Sequence, residues 1–156
     1  MKKTHINAIL AIAVIALFAT SCIKSSSQST SDKLTGKWTI NKTATDSNGN
    51  GKADANEWQP MQYVVSGFPI SINATLNFMK GGTGKVNISA PPLFSDSSTF
   101  NWTLANKDTY IVMSGDTSSV TSGLTNGSAH IDSLSTNHLI LKDTAGGMTT
   151  WLSATK

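Results

Sequence analysis

ISINATLNFMKGGTGKVNISA, residues 70–90, is the stretch of sequence that determines the fold class. Apolar and polar side chains alternate over its first nine residues, which is typical of a strand with one buried face. The glycines within residues 81–84 can adopt the positive φ angles of a turn, and the alternation resumes over residues 86–90. The stretch therefore predicts a β-hairpin whose inward face includes apolar side chains from both strands.

The same alternation recurs along most of the chain. Including the hairpin, it predicts about eight strands, at residues 37–45, 70–78, 85–90, 100–104, 110–113, 131–134, 138–141 and 148–154. No segment shows the 3.6-residue period of a capped helix. Short turns between neighbouring strands favour an all-β fold, an eight-stranded antiparallel up-and-down barrel, because closure removes exposed strand edges. A two-sheet β-sandwich has the same alternation and is the alternative.

The N-terminal 22 residues predict export and lipid attachment. Lys2 and Lys3 precede an apolar run over residues 8–19, which is shorter than the ~20 residues that a membrane-spanning helix needs. Small residues then lead to Cys22, the single cysteine of the chain. This arrangement resembles the lipobox of bacterial lipoproteins, which implies cleavage before Cys22 and a diacylglycerol thioether on its sulfur. An ordinary secretory signal without lipid is the alternative.

The chain is thus predicted to have three parts: a lipoprotein signal peptide (1–21), a lipidated cysteine with a Ser-rich tether (22–33), and one barrel domain (34–156). Residues 23–33 lack the apolar side chains that a core requires. Ile23, rather than an aspartate, follows the cysteine. In Gram-negative lipoproteins this resemblance points to the outer membrane, so we expect a lipid-anchored protein of the cell envelope.

The charge of the chain argues against nucleic-acid binding. Two of its twelve basic residues belong to the signal peptide, so ten lysines remain against nine acidic residues. The sequence contains no arginine, the residue best suited to bidentate recognition of phosphate or guanine. We therefore do not expect a nucleic-acid partner.

Residues 46–57, DSNGNGKADANE, fit the twelve-position pattern of a calcium loop. Oxygen-bearing side chains occupy positions 1, 3, 5, 9 and 12, and a glycine occupies position 6. The predicted ligands are Asp46, Asn48, Asn50, the backbone carbonyl of Lys52, Asp54 and Glu57. We expect a structural Ca²⁺ site between strands, with an affinity of ~10⁻⁴ to 10⁻³ M. A polar surface turn selects the same residue types and is the alternative.

The usual parts of a catalytic site are missing from the mature sequence, so we do not predict an enzyme. Its only histidines are His130 and His138, and neither the Gly-x-Ser-x-Gly nor the His-Glu-x-x-His pattern occurs. The two histidines lie on predicted neighbouring strands, where they could form a metal pair. Structural or surface histidines are the more common case.

Residues 34–40, LTGKWTI, follow the tether and resemble the Gly-x-Trp opening of lipocalins and of small bacterial lipocalin-like lipoproteins. Residues 133–141, a glycine turn and a last strand ending near Lys156 resemble the closing hairpins of that bacterial family. The resemblance implies a barrel that binds a small apolar ligand in its mouth. It also implies an arginine packed on Trp38, which this chain lacks.

The residues expected inside the barrel either fill a core or line a pocket, since eight strands leave room for side chains or for one small ligand. They are Trp38, Leu76, Phe78, Val86, Ile88, Trp102, Leu104 and Trp151. Trp38 is expected to seal the barrel base. Two functions follow: a membrane-anchored ligand-binding lipoprotein with a calcium-stabilised loop, or a filled barrel that serves as an interaction or structural subunit of an envelope complex.

Overall fold

A computed structural model describes residues 28–118 and 126–156. The predicted signal peptide and Cys22 lie outside these residues. Within them, no helix is both long enough and apolar enough to cross a bilayer. The elements are the helix α1 (Thr30–Leu34) and the strands β1 (Gly36–Thr45), β2 (Gln59–Pro60), β3 (Gln62–Val65), β4 (Phe68–Ser71), β5 (Asn73–Phe78), β6 (Thr83–Ala90), β7 (Phe94–Ala105), β8 (Tyr110–Ser114), β9 (Gly127–Leu134), β10 (His138–Ala145) and β11 (Met148–Thr155).

Eight of these strands form a closed antiparallel barrel. Consecutive strands pair from β5 through β11, and β1 closes the sheet by pairing with both β5 and β11. Ile40 marks the closure, because it lies opposite Ala74 of β5 and Ala154 of β11. The predicted all-β up-and-down barrel is confirmed, and one self-closing sheet replaces the two sheets of the sandwich alternative.

Alternate residues of each strand point into the barrel and form one apolar core. In β5, Ala74, Leu76 and Phe78 are fully buried, while the residues between them are partly exposed. The ring of Phe78 packs edge-on against Phe100 and Trp102, with centroid distances of 5.6 and 5.4 Å. Such edge-to-face contacts add to the stabilisation from buried area. The alternate apolar residues of the sequence are therefore the ones that fill the interior of the barrel.

Helix α1 closes the end of the barrel at which β1 begins. The Ser29 hydroxyl caps the helix by accepting a hydrogen bond from the backbone N–H of Asp32 at 3.1 Å. The helix brings Leu34 to the interior, where it is fully buried. Trp38, also fully buried, donates a hydrogen bond from Nε1 to the Leu34 carbonyl at 2.6 Å. We call this end, with the turns at residues 79–82, 106–109 and 135–137, the plug end.

The last residue of the chain completes the plug end. Lys156 donates hydrogen bonds from Nζ to the carbonyls of Lys33, at 2.7 Å, and Thr35, at 2.8 Å. The same nitrogen lies 4.7 Å from the ring centroid of Trp38, within cation–π range. Desolvation by burial lowers the pKa of Lys156. A C-terminal lysine thus supplies the cation that the family resemblance expects from an arginine.

The opposite end, which we call the mouth end, carries the long connection between β1 and β5. Residues 46–72 join β1 to β5 there and include the acidic loop and a separate two-stranded sheet formed by β3 and β4. Val64 and Phe68 of this hairpin are largely exposed, at 63% and 73%. The connections from β6 to β7 and from β10 to β11, the end of β8 and the start of β9 lie at the same end.

Two sequence predictions were wrong in detail. The predicted strand at residues 70–78 is divided, because Ile70 belongs to β4 and pairs with β3. The backbone N–H of Ile72 donates to the Met61 carbonyl at 3.0 Å, so the chain turns between the hairpin and the barrel. The predicted tether also ends early, since its capping serine and the buried Leu34 stabilise helix α1 within it.

Candidate functional site

A cavity of about 340 Å³ lies inside the barrel at the mouth end. Its lining combines apolar side chains toward the core with polar groups toward solvent. The lining residues are Thr43, Ala44, Thr45, Leu76, Met113, Asn126, Gly127, Ser128, Ala129, Leu141, Asp143, Thr150, Trp151 and Leu152. The volume is at the lower end of the ~300–1,000 Å³ range of small-molecule sites.

Strand register arranges the lining in layers. Leu152 lies opposite Thr43 and Leu141, which gives the layer nearer the core its apolar character. Two residues closer to the mouth, Thr150 lies opposite Thr45 and Asp143, so that layer is polar. The side of the barrel formed by the start of β9 contributes little side-chain volume. A Cβ atom built on Gly127 meets nothing within 4 Å, which leaves room for the cavity.

The structure places most of the predicted pocket or core residues in the core rather than in the cavity. Leu76 and Trp151 border the cavity. The apolar cluster in the barrel interior, beneath the cavity, contains Trp38, Phe78, Val86, Ile88 and Trp102. Leu104 is partly buried and packs against this interior cluster. Sequence analysis did not select Met113 or Leu141, although the alternation in residues 139–143 points to Leu141.

Trp151 differs from the other predicted interior residues. It is 3% exposed but lies outside the interior cluster. Strand pairing sets it opposite Ala44 and Lys142, whereas its neighbours Leu152 and Ala154 belong to the interior face. The Nζ of Lys142 lies 5.2 Å from the Trp151 ring centroid. The indole is therefore buried partly beneath a lysine.

The two histidines do not form the metal pair that their spacing allowed. His130 lies opposite Lys142 and Tyr110, whereas His138 lies opposite Thr155. His130 stacks edge-on against Tyr110 at 5.0 Å, and its Nδ1 is 3.8 Å from Asp132. Across residues 28–118 and 126–156, no three His, Cys, Asp or Glu side chains are grouped to hold a metal ion. The described residues around the two histidines therefore do not form a metal site.

The acidic loop is organised around Asp46. Its carboxylate accepts hydrogen bonds from the backbone N–H groups of Gly49 at 2.7 Å, Asn50 at 3.1 Å and Gly51 at 2.8 Å. Gly51, at position 6 of the pattern, has a φ of 74°, which favours glycine. The loop therefore curls around its first residue.

Glu57 closes the loop from its other end and is 8% exposed. Its carboxylate accepts hydrogen bonds from the Ser47 hydroxyl at 2.6 Å and from the backbone N–H groups of Ser47 at 2.8 Å and Asp54 at 3.1 Å. These bonds, led by that from the Ser47 hydroxyl, hold the pKa of Glu57 below its ordinary value. The charged form of Glu57 is thus the form that the loop stabilises.

The remaining predicted ligands bond to one another. The Nδ2 amides of Asn48 and Asn50 each donate to Asp54 at 2.8 Å. The backbone N–H of Lys52 donates to the Asn50 side-chain oxygen, also at 2.8 Å. A cation at this place would need both amides to present their oxygens, a rotation that exchanges atoms of similar size. The residue types fit calcium, and this amide orientation is the one that a cation would change.

The loop is fastened to the barrel wall. The Nζ of Lys142 donates to the Gly51 carbonyl at 3.3 Å, and the backbone N–H of Asp46 donates to the Thr149 carbonyl at 2.9 Å. Because Lys142 also lies over Trp151, the loop, the lysine and the indole form one contiguous group on the outer face. The order of the loop is therefore connected to a strand that borders the cavity.

Comparisons with known proteins find no matching family model and no matching curated protein. Among solved structures, the chain is similar to a lipocalin-like protein from Bacteroides uniformis, with 14% identity and a TM-score of 0.45 over 77% of this chain and 96% of that one. It is also similar to a protein from Bacteroides eggerthii, with 14% identity and a TM-score of 0.45 over 79% of this chain and 99% of that one. A third similar structure is japanin from Rhipicephalus appendiculatus, solved with bound cholesterol. Its identity is 9% and its TM-score 0.44, over 78% of this chain and 74% of that one. The structure itself shows an eight-stranded antiparallel barrel that is plugged at one end.

Proposed function

We propose that the protein binds a small apolar molecule in the mouth-end cavity while a lipid on Cys22 anchors it in the cell envelope. The observation that carries the binding proposal is the cavity of about 340 Å³, with Leu76, Leu141 and Leu152 in its lining and threonines around it. Apolar lining with a few polar groups is the usual composition of small-ligand sites. The plug end is filled with side chains, so a ligand enters from the mouth.

The charge of the lining selects the class of ligand. Asp143 borders the cavity, and none of the lining residues is basic. A fatty-acid carboxylate would therefore meet a like charge, whereas a neutral or cationic molecule would not. We propose a neutral or cationic apolar ligand with hydrogen-bonding groups that reach Thr45 and Thr150.

A neutral fluorescent probe, N-phenyl-1-naphthylamine, tests this proposal in a titration of the mature protein. We expect saturable binding that Ala129→Phe abolishes, because Ala129 borders the cavity and the ring would fill it. The matched control is Val112→Phe, which adds a ring to a side chain already 39% exposed and should bind as the wild type does. Equal binding by both variants would overturn the proposal.

The second candidate is a filled barrel that serves as a subunit of an envelope complex. The observation in its favour is the size of the cavity, which is small for a ligand site, above a densely packed core. Native mass spectrometry of the protein purified from its own membrane separates the two candidates. A bound small molecule supports the ligand function, whereas a stoichiometric protein subunit and no small molecule support the second candidate.

Lipid attachment at Cys22 is tested by metabolic labelling with radioactive palmitate. Because the signal sequence resembles that of lipoproteins, we expect label in the wild type and none in Cys22→Ser. The variant should leave the membrane fraction. Label that persists in Cys22→Ser would overturn the anchor.

We also propose that Ca²⁺ stabilises the loop of residues 46–57. Support comes from the curled backbone around Asp46, the positive φ of Gly51 and the nearly buried Glu57. The carboxylates of Asp46, Asp54 and Glu57 come from one twelve-residue segment but are not grouped in the described structure, so a divalent cation would have to draw them together. Protein and solvent oxygens would complete the coordination.

Thermal unfolding in millimolar Ca²⁺ and in chelator tests the calcium proposal. We expect a higher Tm in Ca²⁺ for the wild type and no difference for Asp46→Asn, because a ligand of the native state stabilises it by mass action. Asp108→Asn, in the exposed turn at the plug end, is the matched control and should keep the calcium response. A wild-type Tm that is the same in both buffers would contradict the proposal.

A further inference from the structure

The charges of the barrel are separated between its two ends. The plug end carries six lysines against Asp32, Asp108 and Asp132. The lysines are Lys33, Lys37, Lys80, Lys85, Lys107 and Lys156. The mouth end carries six acidic residues against Lys52 and Lys142. The acidic residues are Asp46, Asp54, Glu57, Asp96, Asp116 and Asp143. A nearly neutral protein therefore has one basic and one acidic end.

Within residues 28–118 and 126–156, no carboxylate neutralises the lysine charges at the plug end. In the part of the chain that the structure describes, no lysine lies within 4.0 Å of a carboxylate. Lys37, Lys80, Lys85 and Lys107 are exposed. These side chains remain available to an anionic surface.

The chain enters the barrel at this same end. Helix α1 lies against the plug end, and Cys22 precedes Gln28 by only six positions in the sequence. Six residues span at most ~20 Å when fully extended. The ten residues of β1 extend ~33 Å, or ~25 Å along the axis of a tilted barrel. A lipid on Cys22 therefore cannot reach back along the barrel to place the mouth on the same bilayer.

We infer that the plug end is a membrane-facing surface that lies on the anionic bilayer in which Cys22 is anchored, so that the mouth opens away from it. The contact between the plug end and the bilayer rests on charge complementarity. The orientation of the mouth away from the bilayer also rests on the proposed lipid anchor. The lipid holds the chain at the bilayer, and the lysines orient the barrel there. Lys85 on β6 and Lys107 in the turn after the neighbouring strand β7 lie on the same side of the plug end, so both would contact a bilayer placed against that side.

The lysine surface is tested without the anchor, by cosedimentation of the mature chain carrying Cys22→Ser. The vesicles contain phosphatidylcholine with one third phosphatidylglycerol, at low salt. Each lysine near such a surface contributes about fivefold in affinity, so Lys85→Gln with Lys107→Gln should weaken binding by about 25-fold. The matched control is a pair of single variants: Lys42→Gln, which removes one charge elsewhere on the barrel, should change binding less than twofold, whereas Lys85→Gln alone should weaken it about fivefold. Equal losses in these two single variants would overturn the inference.

The orientation is tested with the lipidated protein on the same vesicles. A donor dye is placed on Thr136→Cys at the plug end or on Leu93→Cys at the mouth end, with an acceptor dye on the lipid headgroups. We expect stronger energy transfer from the plug-end dye, and a smaller difference between the dyes in the double variant of Lys85 and Lys107. Equal transfer, or stronger transfer from the mouth-end dye, would overturn the orientation.

Failure of the anchor and failure of the lysine surface give different results. Lipidated protein that does not float with vesicles in high salt contradicts the anchor, whatever the lysine variants do. Protein that floats in high salt but shows no plug-end preference keeps the anchor and contradicts the orientation.

Discussion

At the plug end, Leu34, Trp38 and Phe78 are fully buried, whereas at the mouth end Thr45, Thr150 and Asp143 border a cavity. Both ends belong to the same eight strands, so the difference arises from side chains and connections. Large rings fill one end, and small or polar side chains leave space at the other. The comparison suggests that stability is concentrated at the plug end and that the capacity to bind is concentrated at the mouth end.

Truncation of Trp38 is expected to have the largest effect. Trp38→Ala should lower the free energy of unfolding by about 3–5 kcal/mol, because it removes a fully buried ring and the hydrogen bond to Leu34. Leu152→Ala, at the half-buried edge of the cavity, should cost about 1 kcal/mol. Guanidinium unfolding at equilibrium measures both. Equal losses would show that stability is not concentrated at the plug end.

Added volume should separate the two ends as clearly as removed volume. A Cβ atom on Gly84 would overlap the ring of Phe100, which is already packed edge-on against Phe78. Gly84→Ala should therefore cost about 1–3 kcal/mol, and Phe100→Leu in the same chain should recover part of the loss. Ala129→Val, which adds methyl groups at the cavity, should change stability little. The same unfolding experiment would contradict the comparison if Ala129→Val were the more harmful change.

The sequence predicted the parts of the fold that depend on parity and local turns. Residues 73–78 and 83–90 alternate cleanly, and their inward residues are the ones that the structure buries. The short turn expected between the predicted strands 100–104 and 110–113 is also present, and its residues 106–108 have φ angles of 51°, 58° and 64°. Both signals are local, so no distant residue is needed to detect them.

What sequence analysis missed depends on contacts between distant residues. Lys156 reaches Trp38 only once β11 has closed the barrel, so its role has no local signal. Strand β7 begins at Phe94, six residues before the predicted start. The prediction missed these residues because residues 95–98 are polar on both faces, so they show no alternation. Polar side chains on both faces near the mouth remove the alternation on which the prediction relies, so the mouth end was harder to predict than the core.

Loss of the lysine at the C terminus should have a smaller effect on the plug end. Lys156→Met keeps much of the apolar stem but removes two hydrogen bonds and the cation over Trp38. Because Lys156 is exposed, we expect a loss of about 1 kcal/mol in the free energy of unfolding. Hydrogen exchange at the amides of α1 should rise in the variant while exchange in the mouth-end loops stays unchanged. A uniform rise along the chain would mean that Lys156 does not act locally.

The smallest expected effect concerns acid and the mouth end. The pKa of Glu57 is lower in the folded than in the unfolded protein, chiefly because of the hydrogen bond from the Ser47 hydroxyl. The unfolded chain therefore takes up the proton first as the pH falls, so the stabilisation by Glu57 is complete above its unfolded pKa and is lost below it. In chelator, the difference in unfolding midpoint between the wild type and Glu57→Gln should be constant near neutral pH and shrink at and below the usual Glu pKa of about 4.3. Ser47→Ala should shrink the same difference in part, and a difference that grew as the pH fell would contradict the assignment of the charged form.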